Sequence, residues 1–146
     1  MKNWLVVMTE DNFVVSVKHG IIGFPRSMGT TAGKMKPGDQ VVFYLSRKKV
    51  GQKGVSGALF QFAAAGKIKG SVFLSEDKIW NSVGNETYPV RCKVDITTGK
   101  RRVDIRPMIE ALDFIKNKEH WGVSFFKSTR RIPSSDYKKI SSALGI

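Results

Sequence analysis

The chain has 146 residues, of which 41% are hydrophobic, and its 25 lysines and arginines exceed its 12 acidic residues to give a net charge of +13. This length suits one compact domain, and the hydrophobic fraction excludes a disordered chain. A body this basic attracts polyanions, of which nucleic acid is the commonest in the cytoplasm, although cationic surfaces also serve solubility.

The positive charge is spread along the chain, with 12 basic and 6 acidic residues up to position 90 and 13 and 6 after it. The single cysteine excludes an internal disulfide. No apolar run approaches the roughly 20 residues that a membrane-spanning helix needs. The N-terminal segment meets acidic residues after a short apolar stretch, unlike a signal peptide. We therefore expect a cytoplasmic protein with no membrane partner.

The first half of the chain alternates between strand, helix and turn patterns. The sequence NWLVVM at 3–8 predicts a buried strand. A helix is expected between Thr9, a suitable N-cap, and Gly20, a suitable C-terminal cap. Residues 20–39 contain repeated glycine and proline, which predicts a loop. The apolar sequence QVVFYLS at 40–46 predicts a second buried strand.

The second half contains further strand patterns. Residues 55–75 predict one long strand or two shorter ones. Apolar and polar residues alternate from 88 to 96, which places Cys92 on the buried face as a small hydrophobic group. The sequence TTGK that follows predicts a hairpin turn, with a short strand after it at 101–105.

Two more helices complete the predicted elements. Pro107 suits the first position of one helix. Ser134 or Ser135 can cap a final helix whose buried side is Tyr137, Ile140 and Leu144. The whole pattern predicts one α+β domain over residues 1–146, with five to six mostly antiparallel strands curled into a barrel-like sheet and about three short helices. We assume a monomer.

Motifs for catalysis and for cofactors are absent from the sequence. His19 and His120 are the only histidines, and neither has a metal-binding partner at a suitable spacing. No zinc-deaminase, nucleophile-elbow or phosphate-loop motif occurs. The scattered carboxylates leave a nuclease as the enzymatic alternative. We expect a binding protein without enzymatic activity, cofactor or metal.

One stretch, NKEHWGVSFFKSTRRIP at 117–133, places aromatic residues beside basic ones. An ordinary core segment contains little charge, and a solvated charged segment has no use for a tryptophan. Aromatic faces stack on unpaired bases, while lysine and arginine contact phosphates. The combination indicates nucleic-acid binding centred on Trp121, whereas Phe125 and Phe126 are interpreted mainly as packing residues.

Several motifs in sequence order resemble one family. They are NWLVVMTEDNF, KHGIIGFP, MKPGDQVVFY, YPVRCKV and VDIRPMIEALDFIKNKEHWG, and with the final RRI they cover nearly the whole chain. On these motifs the chain resembles the EVE domain, a member of the PUA-like superfamily. The resemblance implies a pseudo-barrel related to the YTH-type readers of methylated adenine in RNA. EVE domains are associated with modified cytosine in DNA, so it also implies a pocket for a flipped, modified base.

The resemblance further implies which residues form that pocket. They lie after the first strand, in the GIIGFP loop, in the KIWNSV segment and around the last tryptophan: Thr9, Asn12, Gly23, Phe24, Pro25, Trp80, Trp121, Gly122 and Ser124. Ile22 stands where related sequences often carry an aromatic residue, and Phe24 is the candidate to supply that wall. Phosphate contacts are expected from Arg26, Arg47, Lys48, Lys127, Arg130 and Arg131.

The sequence therefore predicts a reader of a modified base, with DNA favoured over RNA as its partner. Two alternatives remain open. One is an RNA-binding accessory protein of the PUA-like type. The other is a protein that binds a small molecule or nucleotide and whose charge is incidental. Trp4 is interpreted as a core residue, and Trp80 as either a core or a pocket residue.

Overall fold

One seven-stranded sheet organises the computed structural model, which describes residues 1–146. The strands are β1 (Asn3–Met8), β2 (Ile21–Phe24), β3 (Gln40–Arg47), β4 (Ala58–Ile68), β5 (Phe73–Leu74), β6 (Val90–Asp104) and β7 (Thr129–Arg131). The α-helices are α1 (Glu10–His19), α2 (Gly29–Ala32) and α3 (Ser134–Leu144). Four short 3-10 helices occupy Arg26–Met28, Val55–Gly57, Arg106–Ala111 and Trp121–Phe125. None of the helices is long and apolar enough to cross a membrane.

The strand order shows how the sheet closes on itself. It runs β2, β6, β4, β3, β1 and β7, with the two-residue β5 paired to β6. β1 and β3 run parallel, and every other pair is antiparallel. The sheet curls into a half-barrel. The predicted α+β fold with mostly antiparallel strands is confirmed, with seven strands where five or six were expected.

Both faces of the sheet are covered by apolar side chains. Successive residues of β1 enter different cores, because side chains alternate along a strand. Trp4 joins the cluster that contains Phe13 of α1, and Leu5 joins the cluster that contains Ile140 of α3. Trp4 is fully buried, as predicted. Cys92 is also buried, as predicted, and burial raises the pKa of its thiol to about 12.

The two longer helices agree with the sequence prediction. α1 begins after Thr9 and ends at Gly20, whose φ of 65° is the left-handed conformation that suits glycine at a helix end. α3 begins after Pro133 and buries Ile140 and Leu144 completely. Amphipathic spacing therefore identifies both helices. The predicted cap of α3 is wrong, because Pro133 precedes the helix and Ser134 is its first residue, and Tyr137 is only half-buried.

Two segments differ from the prediction because pairing distant in sequence determines them. Residues 20–39, expected as a loop, contain β2, which pairs with β6 in a register that places Ile22 opposite Cys92. The TTGK segment lies within the single strand β6, because both halves of β6 pair with β4. The register shifts between Phe62 and Ala64, so extra residues of β6 form a bulge in place of the expected turn.

The segment after Pro107 also differs. The helix expected there is the 3-10 helix Arg106–Ala111, with Pro107 in its first turn. It is followed by the buried residue Leu112, whose extended backbone ends the helix. Met108, Ile109 and Leu112 stand at helical spacing, but packing of Leu112 and Phe114 into the second core decides the local geometry.

Candidate functional site

A cavity of about 320 Å³ opens at the end of the sheet where β1 finishes and α1 begins. Its volume lies within the range of roughly 300–1,000 Å³ that is typical of small-ligand sites. Aromatic and small polar side chains line it, among them Trp80, Tyr88, Phe125, Phe126, Thr9, Asn12, Ser46 and Ser128. Lys127 is the only charged residue of the lining. The cavity thus combines stacking surfaces with hydrogen-bonding groups and one cation.

Trp80 is held from three directions. Its indole Nε1–H donates to Oγ of Ser16 on α1 at 3.0 Å, and only 4% of the residue is exposed. Gly23 on β2 lies against the edge of the ring, and a Cβ atom there would stand 2.5 Å from Cη2 of Trp80. The guanidinium of Arg91 lies over the ring at 4.9 Å from its centroid. The three contacts therefore fix the ring beside the cavity, with Arg91 covering one of its faces.

Arg91 also anchors the segment 75–89 that carries Trp80. Its guanidinium donates hydrogen bonds to three backbone carbonyls and one hydroxyl, those of Asp77, Thr87, Tyr88 and Ser75. The residue is only 3% exposed, and a buried charge costs free energy unless it is well hydrogen-bonded. These bonds compensate the buried charge and tie the segment to β6.

Tyr88 and Phe125 add to the aromatic lining. The ring of Tyr88 stands at 89° to that of Trp80, with the centroids 6.0 Å apart. The φ angle of Tyr88 is 53°, a left-handed conformation that is rare for a bulky residue. Phe125 stacks on Tyr44 with the centroids 4.0 Å apart, so the core fixes its position beside the cavity.

A polar network joins α1 to the Trp80 segment. The side-chain amide of Asn12 donates to the Asn81 carbonyl and accepts from the Asn81 N–H, both at 2.8 Å. The Asp11 carboxylate accepts from the Thr9 hydroxyl, from the Asn81 side chain and from the N–H groups of Asn12 and Val50. Burial raises the pKa of Asp11, but these hydrogen bonds outweigh burial and leave the pKa below its ordinary value. The ionised carboxylate thus holds three segments around the cavity.

The structure brings together most of the segments that the sequence suggested. The predicted pocket residues that line the cavity are Thr9, Asn12, Gly23, Pro25 and Trp80.

Phe24 does not belong to this group. Side chains alternate along β2, so Phe24 and Ile22 both enter the core, at 1% and 0% exposure, while Gly23 faces the cavity. The aromatic wall that Phe24 was expected to supply comes instead from Tyr88 and Phe125.

Trp121, Gly122 and Ser124 also lie outside the cavity lining. The ring of Trp121 packs nearly perpendicular to Phe60 at 5.4 Å and to Phe125 at 6.1 Å, against the second core. Nothing lies within 4 Å of the position that a Cβ atom of Gly122 would take, so no group uses the missing side chain. Within the 3-10 helix Trp121–Phe125, Phe125 reaches the cavity and Trp121 does not.

Two of the expected phosphate-binding residues lie near the cavity. Lys127 lines it, and Lys48 is exposed on the loop after β3, two residues before Val50 of the lining. Lys48 and Lys127 therefore offer free cations beside the opening.

The other basic candidates have structural partners or lie farther away. Arg26 forms an ion pair with Glu76, and Arg47 donates to the carbonyl of Gly54 at 2.6 Å. Arg130 and Arg131 lie on β7, beyond the cavity-lining Ser128. The Arg130 guanidinium lies 5.4 Å from the centroid of Phe114, and Arg131 is exposed.

Sequence reasoning missed three aromatic residues of the lining: Tyr88, Phe125 and Phe126. Tyr88 fits the alternating pattern of 88–96 and was assigned to that strand, but β6 begins only at Val90. Phe126, interpreted mainly as a packing residue, is 80% exposed at the cavity. The adjacent Phe125–Phe126 pair carries a usable signal, because two neighbouring side chains on one short turn are rarely both buried. One of the two phenylalanines is therefore expected at the surface.

Comparison with known proteins places the chain among proteins of the same size and fold. The family model of the EVE domain matches residues 2–143. A UPF0310 protein of Pyrococcus abyssi is 36% identical over 149 residues, covering 99% of this chain and 100% of that protein.

Two solved structures show the same fold at low identity. The YTH domain of the Zygosaccharomyces rouxii MRB1 protein, solved in complex with N6-methyladenosine RNA, has a TM-score of 0.62 at 16% identity, covering 97% of this chain and 86% of that one. Human THYN1 protein, solved in complex with DNA containing 5-methylcytosine, has a TM-score of 0.61 at 12% identity, covering 100% and 99%.

Proposed function

The chain belongs to the EVE domain family, and from this membership we propose that it binds nucleic acid by holding one flipped, modified base in the cavity beside Trp80. The curled half-barrel is the PUA-like fold that YTH domains share. The observation that carries the proposal is the cavity itself, in which a rigidly held tryptophan, a tyrosine and a phenylalanine surround a space of small-ligand size.

The chemistry of the cavity suits a planar base. Stacking of a base on an aromatic side chain contributes about 1–3 kcal/mol and tolerates any base. The hydroxyls of Thr9, Ser46 and Ser128 line the same space and can bond to the polar edge of a base. Lys127 stands at the site to contact a phosphate, and the net charge of +13 strengthens attraction to the backbone.

Two structural neighbours support a modified base as the ligand. One is complexed with N6-methyladenosine RNA and the other with DNA containing 5-methylcytosine. We favour modified cytosine in DNA for this chain, because the human neighbour with DNA is aligned over essentially its whole length. The alternative is modified adenine in RNA, which the YTH neighbour favours.

The proposed function is binding of a modified base without catalysis. No carboxylate or imidazole belongs to the lining, so an acid–base pair for hydrolysis is not at hand within it. Oligonucleotides incubated with the protein and Mg²⁺ are expected to stay uncut, with unchanged bases. Cleavage that disappears when one carboxylate is substituted would overturn this part of the proposal.

An affinity panel tests the proposal. Fluorescence anisotropy would compare single-stranded DNA and RNA carrying 5-methylcytosine, N6-methyladenine or no modification. Burying one methyl group contributes roughly 0.8 kcal/mol, so a preference of about fourfold is expected for one modified base. Trp80→Leu removes the stacking ring and should abolish the preference, whereas Trp80→Phe should retain part of it.

Trp121→Leu is the matched control, because Trp121 packs outside the cavity. It should keep the preference of the native protein while lowering its stability. Equal affinities across the whole panel, or a preference that depends on Trp121 and not on Trp80, would contradict the proposed site.

A further inference from the structure

Phe126 is the most exposed aromatic side chain at the cavity. It is 80% exposed, while its neighbour Phe125 is 8% exposed and stacked in the core. Both residues line the cavity, so Phe126 stands on its outer side, facing solvent. A phenylalanine exposed to this degree contributes little to the stability of the fold, because the stabilisation from an aromatic ring comes from its burial.

Backbone hydrogen bonds flank Phe126 on both sides. Its N–H donates to the carbonyl of Val123 at 3.3 Å, which closes the last turn of the 3-10 helix Trp121–Phe125. Two residues later the carbonyl of Ser128 accepts from the N–H of Val7 at 2.9 Å, immediately before β7. Phe126 and Lys127 therefore lie in a short loop with a backbone hydrogen bond at each end. A side chain presented in this way is ready to contact a partner without reordering the loop.

We propose that the cavity takes its base out of double-stranded DNA and that Phe126 enters the base stack to fill the gap that the flipped nucleotide leaves. This inference rests on the proposed function, since it names the form of nucleic acid from which the base is taken. Apolar side chains inserted between base steps stabilise distorted duplexes, and an aromatic ring restores part of the lost stacking. Lys127, the next residue, would contact the phosphate beside the flipped nucleotide.

A side chain that fills a gap in the base stack, called the wedge below, has a use in a DNA duplex and little use in RNA. Sequence-specific readers of RNA mostly bind single-stranded loops whose bases are already unstacked. A base in duplex DNA must instead be unpaired and unstacked before it can enter a pocket. The proposed role of Phe126 therefore requires duplex DNA as the partner.

The test compares Phe126→Ala with the native protein on three DNA probes that share one sequence and one 5-methylcytosine. The probes are the single strand, the matched duplex, and a duplex with an abasic site opposite the modified base, in which the unpairing is already done. Phe126→Ala should weaken binding to the matched duplex about tenfold, the loss of one aromatic stack, and to the single strand less than twofold. The abasic duplex should lie between these values.

A base-flipping signal supports the affinity measurement. A 2-aminopurine beside the modified base should brighten when native protein binds the matched duplex and should brighten less with Phe126→Ala. Val123→Ala is the matched control, because Val123 is 57% exposed on the same turn and does not line the cavity. It should leave both the affinity and the fluorescence unchanged.

The outcomes separate the inference from the proposed function. If the native protein prefers the methylated single strand but Phe126→Ala weakens binding to all three probes equally, or to none of them, the role of Phe126 in the base stack is overturned. The proposed binding of a modified base in the cavity is then unaffected. If an A-form RNA duplex shows the same dependence on Phe126, the assignment to DNA is overturned. If the native protein prefers no methylated probe in any form, the proposed function fails and the wedge fails with it.

Discussion

At the scale of single residues, the site depends on a glycine whose missing side chain is used by its neighbour. The ring of Trp80 occupies the space in which a Cβ atom of Gly23 would lie, and the carbonyl of Tyr88 would be 2.8 Å from that atom. Gly122 is the other glycine that the resemblance assigned to the pocket, but the space around it is open. Gly23, rather than Gly122, thus allows an aromatic ring to close the cavity.

Gly23→Ala tests this dependence. The added methyl group must displace Trp80 or shift β2, so we expect a loss of about 1–3 kcal/mol in the free energy of unfolding and a loss of base preference. Urea denaturation followed by tryptophan fluorescence gives the first quantity and anisotropy the second. Gly122→Ala should change the stability by less than about 0.5 kcal/mol. Equal effects of the two substitutions would show that the contact between Gly23 and Trp80 is unimportant.

At the scale of elements, the sequence predicts what is encoded locally. β1, β3, α1 and α3 follow from apolar periodicity, and Thr9 and Gly20 mark the ends of α1, because those signals lie within or next to one element. β2 and the continuous β6 depend on partners distant in the chain, and no local pattern records such pairing. Glycine within β2 even argues against a strand, although it is there because Trp80 needs the space.

The site residues likewise divide into those that the sequence identified and those that depend on packing between distant segments. The resemblance to a family identified Thr9, Asn12, Gly23, Pro25 and Trp80, which lie at the cavity. It did not distinguish Phe125 from Trp121, because a 3-10 helix has a period of three and its facing depends on packing against Tyr44. The strained backbone of Tyr88 is likewise invisible in the sequence.

The N-terminal turn of α1 also belongs to this scale, since Asp11 links it to two other segments. Because hydrogen bonds hold the pKa of Asp11 below its ordinary value of 3.8, the carboxylate stabilises the fold at pH values above 3.8. This contribution is lost as the pH falls through the lower pKa of the folded state. Asp11→Asn should therefore lower the free energy of unfolding by about 1–2 kcal/mol at pH 7, and the difference from the native protein should shrink below pH 3.8.

Urea denaturation between pH 7 and pH 2 measures this difference. The matched control is Asp95→Asn on β6, an exposed aspartate with no side-chain hydrogen bond of its own, which should have little effect at any pH. A difference between native protein and Asp11→Asn that stays constant down to pH 2 would show that the charge of Asp11 does not hold the network.

At the scale of the whole molecule, basic residues lie at both ends of the sheet while the cavity lies at one. Lys48 and Lys127 are beside the cavity, at the end where β1 finishes. Lys67 pairs with Gln40, which in turn pairs with Asn3 at the start of β1, and the N–H of Lys36 donates to Asp39, the residue before Gln40. The length of β1 separates the two ends by roughly 20 Å. A nucleic-acid strand whose base enters the cavity should thus contact Lys48 and Lys127 but not the two lysines at the opposite end.

Two double substitutions with the same change in net charge test this geometry. Lys48→Ala with Lys127→Ala should reduce the slope of log affinity against log salt by about two, because two phosphate contacts are lost. Lys67→Ala with Lys36→Ala should leave the slope nearly unchanged. Equal reductions by the two pairs would indicate a diffuse electrostatic attraction rather than a bound path past the cavity.

The most direct measurement uses the three tryptophans as position markers. Each of Trp4, Trp80 and Trp121 contributes one indole N–H signal to a two-dimensional ¹⁵N NMR spectrum, and single substitutions assign the three. Titration with a short single-stranded DNA carrying 5-methylcytosine should shift the Trp80 signal strongly. The signals of Trp4, buried against Asp39, and of Trp121 should move little. A large shift of Trp121 with an unmoved Trp80 would contradict the site.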